Sequence, residues 1–208
     1  GFKRISLGPD RRAGVLTHPL LLAQFAYADN TSPIHRGVFL ARHITGRTLK
    51  PPPNAIQFKD SEFKPNQTMR EKVTHLTKAA DCMSCHSIIN PLGFALENFD
   101  AIGRWREKEK GRPINVVSDY STAANTPLKI TGPRTIANYA AESAQGQRHF
   151  VEQLFNHLTK QTPGAFGRET LDELWQDFVK TDCNVPRLMT EITVRVTGGG
   201  LLQSKGEK

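Results

Sequence analysis

Asp81-Cys82-Met83-Ser84-Cys85-His86-Ser87-Ile88-Ile89-Asn90-Pro91-Leu92-Gly93-Phe94 is the stretch from which the rest of the chain is read. It holds two of the three cysteines, spaced Cys-x-x-Cys, with a histidine directly after the second. On a helix, positions i and i+3 lie about one turn apart on one face. Two thiols so placed reach the two vinyl groups of one porphyrin, and the adjacent imidazole projects beneath the iron. The spacing predicts one covalently attached haem c, held by Cys82 and Cys85 with His86 as proximal ligand.

Two other chemistries use the same residue types. A thioredoxin-like redox pair needs a βαβ setting, whereas Pro-rich coil and a helix precede this motif. A structural zinc site needs four ligands. Cys183 with His75, His149 or His157 could complete one, but no second pair occurs at the required spacing.

Working outward, Thr68 and Glu71 form a capping box that opens a helix through Val73, Leu76 and Ala79-Ala80, leading into the cysteines. Pro91 and Gly93 are expected to stop that element, and Phe94 to Phe99 to add one short helical turn. Upstream, a helix over about 19–28 follows Thr17, and Ser32-Pro33 starts a second with Val38, Phe39 and Ile44 on its apolar side. Pro51-Pro52-Pro53 is expected to be extended, since each proline fixes φ and pushes its predecessor out of the α region. Downstream, Ile114, Val116 and Val117 favour strand, with turns at Thr126-Pro127 and Gly132-Pro133. Helices follow over 133–144, 148–160 and 169–180, the last with Leu171, Leu174, Trp175 and Phe178 at i, i+3, i+4, i+7. A fourth begins at Pro186, ahead of a flexible Gly198-Gly199-Gly200 tail. The fold class is mainly α. A cytochrome c-like haem domain (1–112) is followed by a linker or short hairpin (113–132) and a helical C-terminal domain (133–208).

The 208 residues carry a formal charge of +8, a pI near 9.6 and a mean hydropathy of -0.46. No apolar run approaches the ~20 residues of a membrane span. The densest basic stretch, 104–112, is interleaved with glutamates, which points to a solvated face rather than a nucleic-acid stripe. A positive surface also speeds encounter with an acidic redox partner. The start at Gly1 rather than Met points to a processed product or a piece of a longer polypeptide. No Ser-His-Asp order, P-loop, EF-hand or His-Glu-x-x-His signature is present, so hydrolase and nucleotide chemistry have no support.

Four elements make the sequence recognisable, three of them being Arg12-Ala13-Gly14-Val15-Leu16-Thr17-His18-Pro19, Thr31-Ser32-Pro33-Ile34-His35-Arg36-Gly37 and Pro51-Pro52-Pro53. The most specific is Cys82 through Asn90-Pro91-Leu92-Gly93-Phe94-Ala95-Leu96-Glu97-Asn98-Phe99-Asp100 to Trp105. Together they resemble the cytochrome c-like domain of large proteins abundant in planctomycetes, a family of unknown function. Residues from about 128 to 196, with Phe166-Gly167-Arg168, resemble the small helical domain that follows it. The resemblance implies a haem module at the C-terminal end of a larger extracytoplasmic protein, and no substrate.

The distal side of the iron decides between functions. His18, His35, His43, His75, His149, His157, Met69 and Met189 are the candidates; Met83 lies in the attachment loop on the proximal side. His75, in the same helical run as Cys82, reaches round the haem only awkwardly. His18, at a helix start, ranks first, and Met69 and His157 follow. Pro91, or a neighbouring residue, is expected to accept a hydrogen bond from His86 Nδ1 through its carbonyl. Phe94, Leu96, Phe99 and Trp105 are expected to pack against the porphyrin, with ordinary core as the alternative. Arg104, Arg106 and Arg36 are candidates for its propionates. Cys183 is expected to be a buried free thiol, or bonded to a further part of the polypeptide.

These readings favour a mono-haem electron-transfer module outside the cytoplasmic membrane, serving a redox partner or other domains of a larger polypeptide. A haem enzyme of peroxidase or oxygenase type, with an open distal site, is the second reading. A structural or assembly subunit with a haem staple is the third.

Overall fold

A computed structural model of the chain describes residue 3, 11–50 and 58–198. The triple proline at 51–53, Gly1 and the glycines at 199–200 lie outside the described residues. Among the described residues there are eight α-helices and two small antiparallel hairpins. None of the helices is long and apolar enough to cross a membrane. The chain divides into two compact units, 1–139 and 140–208.

In the first unit, α1 (Pro19–Gln24) starts with proline at its first position, where a missing N–H costs nothing. It is a turn shorter than its apolar run suggested. In α2 (Pro33–Phe39) the Ser32 hydroxyl accepts from the His35 N–H at 3.3 Å, and a π-helical turn, Leu40–Ile44, continues it. The capping box of α3 (Met69–Leu76) is complete. Thr68 Oγ1 accepts from Glu71 N–H at 3.3 Å, and Glu71 Oε2 accepts from Thr68 N–H at 2.8 Å.

The cysteine-bearing helix α4 (Ala80–Phe94) does not stop at Pro91 or Gly93 as expected. Pro91 forfeits one helical hydrogen bond, but residues 89–94 are all buried, so packing outweighs that loss. Gly93 is needed because the Pro33 carbonyl lies where a side chain would start.

Two hairpins follow: β1 (Lys108–Glu109) with β2 (Arg112–Pro113), and β3 (Ser118–Ser121) with β4 (Pro127–Ile130). The strand expected at Ile114, Val116 and Val117 is absent. There the Arg70 guanidinium takes the backbone, donating to the carbonyls of Asn115 (2.8 Å) and Val117 (2.9 Å). Pairing begins only at Ser118. Tyr120 and Ile130 turn inward from the second hairpin and join Leu16, Leu22, Leu40, Leu92, Leu96, Phe99 and Ile136 in one core. Full burial of each large apolar side chain contributes about 1.5–3 kcal/mol.

Helix α5 (Pro133–Glu142) leads to the second unit, made of α6 (Ala144–Thr159), α7 (Thr170–Lys180) and α8 (Val185–Gly198). Its core is Val151, Phe155, Leu174, Phe178, Leu188 and Ile192. Leu171 and Trp175 of the α7 stripe pack against it. Trp175 Nε1 donates to Gln147 Oε1 at 3.1 Å, and the Arg148 guanidinium lies 4.2 Å over the same ring while pairing with Asp172.

Candidate functional site

Helix α3 is closed by Thr77 as its C-cap, and only Lys78 and Ala79 lie between that cap and α4. Cys82, His86 and Asn90 follow one another at i, i+4 and i+8 along one side of α4, with Cys85 about one turn from Cys82. Both cysteines are free and half-buried.

His86 Nδ1 lies 2.9 Å from Asn90 Oδ1, and Asn90 Nδ2 donates to Thr77 Oγ1 at 2.9 Å. The Thr77 hydroxyl donates in turn to the Val73 carbonyl at 2.8 Å. The direction of this chain is fixed at its far end. A peptide carbonyl only accepts, so Thr77 must spend its proton there and receive from Asn90 through a lone pair. Only the NH2 of Asn90 can give that bond, which turns its Oδ1 toward His86. Nδ1 of the ring is then the protonated nitrogen, and in the neutral imidazole Nε2 keeps its lone pair for a metal.

This corrects the expectation for Pro91. Its carbonyl runs along the helix and accepts from the Ala95 N–H at 3.4 Å, whereas Asn90, one turn beyond His86, has its side chain on the right face. Neither Asn90 nor Thr77 was found from the sequence. The i+4 spacing of an amide after the histidine was a usable signal for the first.

Arg36 is also corrected. It is 0 % exposed, with both Nη atoms bonded to protein and Nε buried without a partner, so it does not reach a propionate. Nη1 donates to the carbonyls of Leu96 (3.3 Å) and Phe99 (2.8 Å), and Nη2 to those of Leu22 (3.1 Å) and Asp100 (2.7 Å). Glu97, 1 % exposed, lies 3.9 Å from it and accepts from Arg106 (3.2 Å) and the Thr31 hydroxyl (2.8 Å). Burial pushes the Glu97 carboxyl up to about 7, against the pull of Arg106, Arg36 and the Thr31 hydroxyl. Burial likewise lowers the Arg36 guanidinium to about 10. Glu97 was not singled out in the sequence, because a lone glutamate carries no mark of its burial.

The remaining expected residues divide among three places. Phe99 is a core residue with Trp105 edge-on at 5.4 Å, and the Arg12 guanidinium lies 4.8 Å over its ring. Arg104 is exposed and pairs with Asp100 at 2.7 Å. Phe94 is buried beneath the Arg70 guanidinium at 4.5 Å. Among the described residues no hydrogen bond or ring contact joins Phe94, Phe99, Trp105, Arg104 or Arg36 to Cys82, Cys85 or His86.

Of the distal candidates in the first unit, Met69 is fully buried. His35, His43 and His75 rest against Tyr27, Phe39 and Phe63. His18 is exposed at the start of α1, with no ring or hydrogen-bond partner for its imidazole among the described residues. His149, beside Glu152, as well as His157 and Met189 belong to the second unit. Cys183, expected to be buried, is exposed and free, just beyond α7. Among the described residues no three His, Cys, Asp or Glu side chains converge as a metal-binding group. A closed zinc site requires four donors, and among the described residues none joins Cys82, Cys85 and His86 to make one.

No curated protein and no solved structure matches the chain. Residues 12–109 match the family described as PSCyt3, a protein of unknown function (DUF1588). That span runs from Arg12 through α4 to β1, and so contains both the Cys82–His86 helix and the Arg36–Glu97 cluster. Over residues 12–109, a little under half of its length, the chain matches the PSCyt3 family, a planctomycete cytochrome-type domain of unknown function.

Proposed function

We propose that the chain is a mono-haem c-type cytochrome module that passes electrons within, or to, a larger extracytoplasmic redox assembly. The observation that carries this reading is the braced His86 ring, with Nε2 left as the free acceptor, beside two free thiols on the same helix. That donor set fits a haem c and suits few other groups. When bound, the haem supplies one-electron chemistry at its iron.

The roles of this chain's own residues follow. Cys82 and Cys85 would hold the group through two thioethers, each made by adding S–H across a vinyl double bond, which consumes no oxidant. His86 would offer Nε2 to the iron, and Asn90 and Thr77 keep its ring from turning. His18, whose imidazole has no hydrogen-bond or ring partner among the described residues, would be the second side chain offered to the iron. The basic surface favours an acidic redox partner. Haem c is attached outside the cytoplasm, so the periplasm or an extracellular surface is the compartment this reading requires. Residues 128–196, by their resemblance, are assigned to the small helical domain that accompanies such modules.

The test is expression of the full chain with a haem c maturation system, followed by denaturing extraction. Wild type should retain a covalently bound Soret chromophore, and C82S/C85S should release it. A wild-type chain that keeps no chromophore after extraction overturns the reading. Carbon monoxide added to the reduced protein separates the two haem functions. An unmoved low-spin spectrum fits electron transfer, whereas a shifted high-spin one would require an enzyme with an open site.

A further inference from the structure

Resting on that haem reading and deepening it, we propose that Asn90 is a positioning residue that sets the electron-donating strength of His86, with Thr77 as the lock on its amide. The argument is one of direction and distance. Asn90 is buried and its amide makes one hydrogen bond at each end, to His86 Nδ1 and to Thr77 Oγ1, both at 2.9 Å. A free asparagine amide can flip, offering the ring either an acceptor or a donor. Here the flipped form would set its NH2 against the Nδ1–H and its oxygen against a hydroxyl whose proton is already committed to the Val73 carbonyl. Both contacts would be donor-to-donor or acceptor-to-acceptor, and the site is too buried for water to relieve them. The amide therefore has one stable orientation, and the ring one tautomer.

An acceptor on Nδ1–H draws the proton away from the ring and makes Nε2 a stronger donor to the metal. Stronger donation favours ferric over ferrous iron, so the reduction potential falls as the acceptor strengthens. A neutral amide oxygen sits between a carboxylate and no acceptor at all. The structure thus assigns Asn90 an intermediate potential, adjustable in both directions by one substitution. Thr77 acts one bond further out. It touches neither His86 nor the metal site, yet it decides which end of the amide His86 meets.

Four variants of the full chain, each loaded with haem by covalent attachment, test this. Midpoint potential is measured by redox titration, and the Nδ1–H environment by proton NMR. N90D should lower the potential and N90L should raise it. T77V should broaden or split the Nδ1–H signal as the amide loses its preferred orientation, whereas T77S, which keeps the hydroxyl, should match wild type. If N90L fails to fold, the pair T77V and T77S still decides the matter. Haem-loaded N90D and T77V that both match wild type in potential and in the Nδ1–H signal would overturn the assignment of Asn90 while leaving the haem itself intact. Wild type without covalent haem would instead overturn the proposed function on which this inference rests.

Discussion

A Cβ placed on Gly37 would fall 2.2 Å from the carbonyl oxygen of Ile89. Its counterpart on Gly93 would fall 2.0 Å from the carbonyl oxygen of Pro33. With 33 against 93 and 37 against 89, α2 and α4 run antiparallel and meet backbone to backbone. Ile89 follows His86 by three residues, so this contact holds the helix that carries the candidate ligand.

Adding a methyl at either glycine forces two backbones apart, which no rotamer change can relieve. Gly37→Ala should destabilise the first unit by at least the ~1–3 kcal/mol typical of overpacking, measured by urea unfolding. Gly164→Ala serves as the control, because a Cβ there meets nothing within 4 Å. Equal midpoints for the two variants would mean that the helices part at no cost.

Removing Arg36 leaves four carbonyls and the Glu97 carboxyl without their buried partner. Arg36→Met should cost about 3–5 kcal/mol, the usual penalty for breaking a buried ion pair from one side. The double variant Arg36→Met/Glu97→Gln should recover part of it, and no recovery would show that the carbonyl contacts dominate.

Glu97 also makes stability depend on pH. Its folded value, raised by burial to about 7, lies above the ordinary ~4.3 of a glutamate in the unfolded chain. Its contribution is fully present below that ordinary value and is lost as pH rises through 7. Unfolding free energy should therefore fall between about pH 4.3 and pH 7, by at most ~1.4 kcal/mol per pH unit for one proton. Glu97→Gln should flatten that slope. Glu71 acts in the opposite sense and elsewhere: the hydrogen bond from Arg112 holds it down at about 2. Its contribution is present above the ordinary carboxylate range and is lost only in stronger acid. An unchanged slope in Glu97→Gln would remove Glu97 as the source.

His18→Ala tests the axial assignment. The variant should keep its covalent haem, lose the low-spin spectrum of the wild type and bind carbon monoxide when reduced. A variant spectrum identical to wild type would transfer the role to Met69 or to a residue of the second unit.

Much of the local architecture was legible because local rules produce it. The Thr68–Glu71 capping box, the Ser32-Pro33 helix start and the α7 stripe each declare themselves within a few residues. What misled was tertiary. Pro91 and Gly93 look like helix breakers until Pro33 is seen to lie against Gly93. Ile114 to Val117 look like strand until Arg70, more than forty residues away, takes their carbonyls. The motif residues are plain in the site as well, but Arg36 reads as a propionate partner when it ties together α1, α2 and the turn after α4. Nothing in sequence spacing distinguishes an arginine that meets solvent from one that meets four carbonyls. Asn90 needed only the i+4 rule, and Thr77 needed the angle between two helices.

The joint between α3 and α4 consists of Lys78 and Ala79, both exposed. Their side chains touch little and are free to drift, but their number is not. One residue inserted there would change how α4 is set against α3, which the extended backbone at Ala79 now fixes. Cys82, Cys85 and His86 would keep their mutual spacing, while Asn90 would swing away from Thr77. A homologue with such an insertion would still display the full attachment motif to any pattern search, yet its histidine would stand on an unbraced amide. The length of a two-residue hinge, rather than the motif, is where relatives with a differently tuned iron should be sought.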